Sequence, residues 1–197
     1  MTEMFVSLTI KLFFLLTPFF VLSVFLSMTE GMNVTEQRKL ALRVVLSVMI
    51  ICLVLYFGGN TIFATLGITL DGFRIGTGSL LFLSAVSLVS GKRARPEPED
   101  DGDIAVVPLA MPITVGPATI GTLLILGAEL ESTPDKLLGA AALLAACCCV
   151  GVLLFSASAI KKIIGRTGLG MLTKITGLVL SALAAQIVFT GVRNFLN

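Results

Sequence analysis

The chain has no histidine, no tryptophan and a single tyrosine. Without histidine it lacks the commonest proton relay and neutral metal ligand. Without tryptophan the aromatic girdle of a membrane interface is thin, and the 13 phenylalanines serve mainly as apolar bulk. Charge is scarce too. Asp, Glu, Lys and Arg make up 13% of the residues, where a soluble domain carries about a quarter. The four cysteines form no disulfide framework, because Cys147, Cys148 and Cys149 are consecutive and Cys52 lies in another apolar run. Their spacing fits no metal site, and they read as small packing residues. No nucleophile sits with a base, which speaks against an enzyme. No cofactor and no metal are expected.

What remains is hydrophobic: 56% of the residues, with a mean hydropathy of +1.02. A helix crossing a bilayer needs roughly 20 apolar residues. Six runs approach that length, at 4–28, 42–63, 73–90, 104–128, 137–160 and 169–195. The first is not read as a cleaved signal: its first charge is Glu3, Pro18 breaks its middle and no small-residue cleavage site follows. The segment Asn33 to Lys39 is a polar helix start with a cap and an early acid. Residues 92–103, with three basic residues, Pro96, Pro98 and five acids, form a solvated linker.

The two sides of that linker look alike. Arg74-Ile75-Gly76-Thr77 opens a run that ends at Gly91; Lys174-Ile175-Thr176-Gly177 opens one that ends at Gly191, an offset of 100. Thr17-Pro18 and Gly116-Pro117 stand 99 apart. A duplication is expected, with repeats at 1–91 and 104–197. Three spans per copy force the second copy upside down. The fold class is therefore an all-α membrane protein of six transmembrane helices in two inverted three-helix repeats, an arrangement common among secondary transporters.

The basic residues set the orientation. With the N-terminus outside, ten face the cytoplasm: Arg38, Lys39, Arg43, Lys92, Arg93, Arg95, Lys161, Lys162, Arg166 and Lys174. Four lie outside: Lys11, Arg74, Lys136 and Arg193. That asymmetry follows the positive-inside rule and puts both termini outside the cytoplasm. Since the basic residues belong to membrane loops, the net charge of +2 gives no ground for nucleic-acid binding.

Candidate functional residues come from broken helices. Span four holds Pro108, Pro112, Gly116, Pro117 and Gly121, and cannot be one continuous helix. Unpaired backbone survives in hydrocarbon only against protein or a watery cavity. Two half-helices are expected, joined near Thr114 to Pro117, and the one starting at Pro117 would offer free amides and a positive dipole end to an anion. Span one repeats the device more weakly at Thr17-Pro18, with Ser23 beyond it. The candidate substrate-binding residues are Thr17, Pro18, Ser23, Pro112, Thr114, Gly116, Pro117, Thr119 and Gln186. Each has a plainer reading. A lone proline usually kinks a helix, the threonines can bond carbonyls one turn back, and Gln186 can bridge helices. Gly76, Gly78 and Gly177 read as close helix contacts, with Gly76 and Thr176 as equivalent places in the two copies.

Several stretches carry a resemblance: Val107-Pro108-Leu109-Ala110-Met111-Pro112 leading to Gly116-Pro117-Ala118-Thr119-Ile120, then Phe25 through Gly31, Arg38 through Arg43, Gly67-Ile68 and Phe73-Arg74-Ile75. In these the chain resembles the MarC family of bacterial integral membrane proteins, also called the neutral amino acid transporter family. The resemblance covers nearly the whole length. It implies six spans, a cytoplasmic-membrane location and, for some members, movement of small neutral amino acids. The family's first-span pattern Asn-Pro-x-Gly-x-x-Pro-x-Phe is altered here, with Thr17, Phe20 and Ser23 in place of the Asn, Gly and second Pro.

The function expected is a secondary carrier or exporter of small neutral amino acids or similar carboxylate-bearing solutes, held between the breaks of spans one and four. The alternative is a non-transporting membrane assembly or stress-response component. Expected partners are membrane lipid and a small solute, with Na+ or H+ as the coupling ion and self-association left open.

Overall fold

A computed structural model describes residues 2–91, 105–130 and 132–196, without the side chains of 105–108 and Pro112. The expected linker, 92–103, lies outside the described residues. Among the described residues all regular structure is helical. The elements are α1 (Thr2–Leu15), α2 (Pro18–Met28), α3 (Val34–Leu66), α4 (Leu70–Ser90), a π-helical segment (Ala105–Thr114), α5 (Pro117–Glu129), α6 (Thr133–Phe155) and α7 (Ala157–Leu196).

Local chemistry sets the ends. Asn33 caps α3: its side chain accepts from the Glu36 amide at 2.9 Å, and the Glu36 carboxylate accepts from the Asn33 amide at 3.1 Å. This reciprocal box satisfies two amides that would otherwise be orphaned. Ser132 caps α6, its hydroxyl accepting from Asp135 N at 3.2 Å and donating to the Asp135 carboxylate at 2.6 Å. Gly67 ends α3 with φ +64°, a conformation open to glycine without steric cost. Gly165, at φ +67° and ψ 177°, interrupts α7, which is two helices end to end.

Among the described residues, four helices are long and apolar enough to cross a membrane: α3, α4, α6 and α7. The pair α1–α2 meets the same measure jointly, bent by 41° at its break. The fourth expected run, 104–128, falls short of it. Its break divides it into a 10-residue π segment and a 13-residue α5, neither long enough alone. Mid-helix side chains such as Val54, Leu83 and Phe189 are 67%, 64% and 73% exposed. Apolar exposure on this scale fits a surface solvated by lipid.

Small residues let the helices close in. A Cβ on Gly127 of α5 would overlap the Tyr56 carbonyl of α3, and one on Gly59 of α3 would overlap that of Leu124. In the α4–α7 seam, a Cβ on Gly78 would lie 2.6 Å from Val188 and 3.0 Å from the Ala184 carbonyl. One on Gly177 would lie 2.8 Å from Val89 and 2.9 Å from the Ala85 carbonyl. Gly76, expected in this seam, has open space beside it. Thr77 is buried instead, at 4% exposure, as is Thr176 at 0%. The contacting positions in the seam, Gly78 and Gly177, Val89 and Val188, Ala85 and Ala184, each stand 99 apart, against the 100 between Gly76 and Thr176.

Candidate functional site

The break between α1 and α2 turns on Thr17. Proline at the first position of α2 has no amide to give the α1 ladder, so helical bonding stops there. Thr17 takes the left-handed conformation, φ 47° and ψ 54°, the one non-glycine to do so among the described residues. For a β-branched residue this costs roughly 1–2 kcal/mol, and such strain persists only where the surroundings enforce it. The Thr17 amide donates to Phe14 O at 2.9 Å and its carbonyl accepts from Val21 N at 3.0 Å. Its hydroxyl is buried with no hydrogen-bond partner.

The second break has a different build. Pro112 cannot donate to the carbonyl one turn back, and the ladder slips by one residue. Val115 N bonds Ala110 O at 2.9 Å, and the Thr114 hydroxyl bonds Leu109 O at 2.7 Å, both five residues back. Gly116 then extends, at φ −83° and ψ 174°, and α5 starts afresh at Pro117. The next amides, Ala118 and Thr119, belong to a first turn that supplies them no intrahelical acceptor.

These breaks meet. Thr17, Gly116, Pro117 and Thr119, with Leu15, Leu81, Ser84 and Leu180, line a central cavity of about 20 Å³. That is room for about one water. The Thr119 hydroxyl reaches across to the Leu15 carbonyl, the last of α1, at 3.5 Å. Two helix N-termini, α2 and α5, bring their positive dipole ends to one buried point. The arrangement can hold negative charge without a basic side chain.

Of the expected residues, Thr17, Gly116, Pro117 and Thr119 are thus together, and Pro18 follows Thr17 as the first residue of α2. Thr114 is buried beside them but does not line the cavity, because its hydroxyl is spent on the π segment. Ser23 donates to Phe19 O at 2.9 Å and lines a separate cavity of about 170 Å³ with Phe20, Ser87, Thr173 and Lys174. The backbone of Pro112 lies in the π segment; its side chain is outside the described residues. Gln186 lines a vestibule of about 290 Å³ at the opposite end of the bundle from Lys174.

That vestibule was not legible in advance. Lys11, Arg74, Thr122, Glu129 and Gln186 supply its polar groups, on a wall of Leu, Ile and aliphatic neighbours. Arg74 of α4 donates to Glu129 of α5 from Nη2 at 2.6 Å and from Nε at 3.0 Å, and also pairs with Asp71. Asn194 of α7 donates to Asp71 at 3.3 Å. Leu15 and Leu81 line both the vestibule and the central cavity, and so form the partition between them. At the other end Glu30 pairs with Arg166 at 3.0 Å and Lys161 at 3.8 Å.

These features define an integral, multi-pass helical membrane protein in which two helix breaks converge on a buried polar point. The chain belongs to the MarC family of integral membrane proteins, whose sequence profile matches residues 2–196. It is similar to a UPF0056 membrane protein of Aquifex aeolicus, 30% identical over 98% of this chain and 94% of the relative. It is 33% identical to UPF0056 membrane protein MJ1677 of Methanocaldococcus jannaschii, over 94% of each. It is 34% identical to UPF0056 membrane protein YhcE of Escherichia coli, over 93% of this chain and 89% of the relative. No solved structure matches it.

Proposed function

We propose that the protein is a secondary carrier of the cytoplasmic membrane for small neutral amino acids or similar carboxylate-bearing solutes, and not an enzyme. The observation that carries this reading is the convergence of two proline-started half-helices on a cavity holding an unpartnered, buried hydroxyl. The α2 and α5 dipole ends would meet the carboxylate there; Thr17 and Thr119 would meet the polar remainder.

The reading includes six spans in two inverted repeats, and the cavities support it. Two pairs 99 positions apart, Thr17 with Gly116 and Leu81 with Leu180, line the central cavity. Ser23, Ser87, Leu88, Gly91 and Thr173 line the cavity at one end. Their counterparts at the same offset, Thr122, Gln186, Ile187, Thr190 and Arg74, line the vestibule at the other. The central cavity thus lies where a two-fold axis would run, with a vestibule to each side. Their unequal volumes, about 290 and 170 Å³, fit a carrier with the larger chamber at the Arg74 end. Rocking one repeat against the other would exchange the two. The excess of Lys and Arg at the Lys161 end supports a cytoplasmic location for that end, with both termini outside.

Reconstituted protein is expected to move labelled glycine, alanine or serine across vesicles, and Pro117→Ala to abolish that movement. Imposed Na+ and pH gradients identify the coupling ion. No flux of any of the three, under either gradient, would sink the reading. One observation favours the non-transporting alternative: the central cavity holds only about one water. With the native cysteines replaced, cysteines at Thr17 and Thr119 are expected to react with a small polar thiol reagent. Inertness at both positions would favour the alternative.

A further inference from the structure

We propose that the vestibule at the Arg74 end is a binding site in its own right, selective for small solutes that carry a carboxylate and an ammonium group on one skeleton. The inference deepens the carrier reading, on which it rests for treating the vestibule as the antechamber of the central cavity. Its chemistry comes from the vestibule's own charges.

The vestibule holds both signs, and they do not cancel locally. Arg74 is shared between two carboxylates, Asp71 and Glu129, so that this cluster keeps one surplus negative charge. Both bonds from Arg74 to Glu129 end on Oε1, which leaves Oε2 without a donor. Lys11, on α1, lines the same cavity and has no ion pair or hydrogen bond among the described residues. The side-chain amide of Gln186 is likewise unengaged. The hydroxyls of Thr122 and Thr190 donate to carbonyls of their own helices, Ala118 and Gln186. Lys11, Glu129 and Gln186 are all exposed at the mouth of this cavity, so the polar capacity they offer an entering solute is one ammonium, one carboxylate oxygen and one amide.

A solute with only a carboxylate would satisfy Lys11 but would lie beside the surplus charge of Glu129. One with only an ammonium group would meet Glu129 but leave Lys11 unmatched. A solute carrying both matches the set, its carboxylate to Lys11 and its ammonium to Glu129 Oε2. The remaining wall, with Leu8, Leu12, Ile125, Leu126 and Leu183, suits an aliphatic side chain. The volume of about 290 Å³ sits at the small end of ligand pockets, which run from about 300 to 1,000 Å³.

The test is calorimetric titration of the full chain in nanodiscs with three matched probes: leucine, 4-methylpentanoate and 3-methylbutylamine. Leucine is expected to bind at least about tenfold more tightly than either singly charged probe. Lys11→Gln is expected to weaken leucine binding to the level of the amine, Lys11→Arg to restore it, and Glu129→Gln to weaken it to the level of the acid. Thr65→Ala, on α3 and outside every cavity described, where the hydroxyl bonds only Thr61 O of its own helix, is expected to leave leucine binding in place. Equal binding of the acid or the amine, or indifference to Lys11→Gln, would overturn the proposal. Leucine binding of the expected kind without any vesicle flux would refute the carrier reading and keep this site. Flux without binding sensitive to Lys11 and Glu129 would refute this site alone.

Discussion

Thr17 combines three features that rarely coexist in a transmembrane segment: a left-handed backbone, a β-branched side chain and a buried hydroxyl with no partner. Each costs stability, and a packed core would have no reason to keep them together. Thr17→Val keeps the branching and the strain but removes the orphaned hydroxyl. In detergent it is expected to raise stability by about 1 kcal/mol, since an unsatisfied buried polar group costs roughly 1–3 kcal/mol. In vesicles it is expected to lose transport; thermal unfolding and flux measured on one preparation separate the two effects. The proline after Thr17 made the break visible in the sequence. The left-handed turn was not visible, because nothing in threonine's own preference announces it. Thr114 and Ser23 mark the limit of such reading. A hydroxyl on a helix bonds a carbonyl of its own helix unless the surroundings offer better, and only coordinates distinguish the two outcomes.

At the scale of elements, the breaks matter because the helices around them are held so close. Gly127→Ala would drive a methyl group into the Tyr56 carbonyl, with α3 and α5 forced apart. A loss of about 1–3 kcal/mol is expected for such overpacking. Gly76→Ala, which meets nothing, is expected to be neutral or to gain up to about 1 kcal/mol from helix propensity. Chemical denaturation of both variants in mild detergent checks the contrast. The apolar runs and the proline–glycine cluster in the fourth run were legible from composition and spacing alone. The π register was not, since it arises from which carbonyl the displaced amides find. Glycine contacts were legible as a class but not one by one: Gly78 and Gly177 are in the seam, whereas Gly76, two positions from Gly78, is not.

For the whole molecule, the inverted repeat proposed above makes predictions that no single helix could. If the halves exchange shapes, Gln186 and Ser87 are equivalent positions in opposite vestibules. In a background lacking native cysteines, Gln186→Cys is expected to react with an impermeant thiol reagent from outside, and Ser87→Cys only from the cytoplasmic side. Reaction of both from the same side would contradict the inverted arrangement. The sequence carried matching stretches at offsets of 99 and 100 together, and the described seam contacts recur at 99. It did not carry the pairing of Arg74 with Glu129, because those residues lie 55 positions apart and share no local pattern.

The partition made by Leu15 and Leu81 has a further consequence. The same two aliphatic side chains line the vestibule and the buried polar point. On the carrier reading proposed above, trimming Leu81 to alanine is expected to open a leak between the two cavities. Bilayer recordings are expected to register more small-ion conductance from Leu81→Ala than from the parent protein.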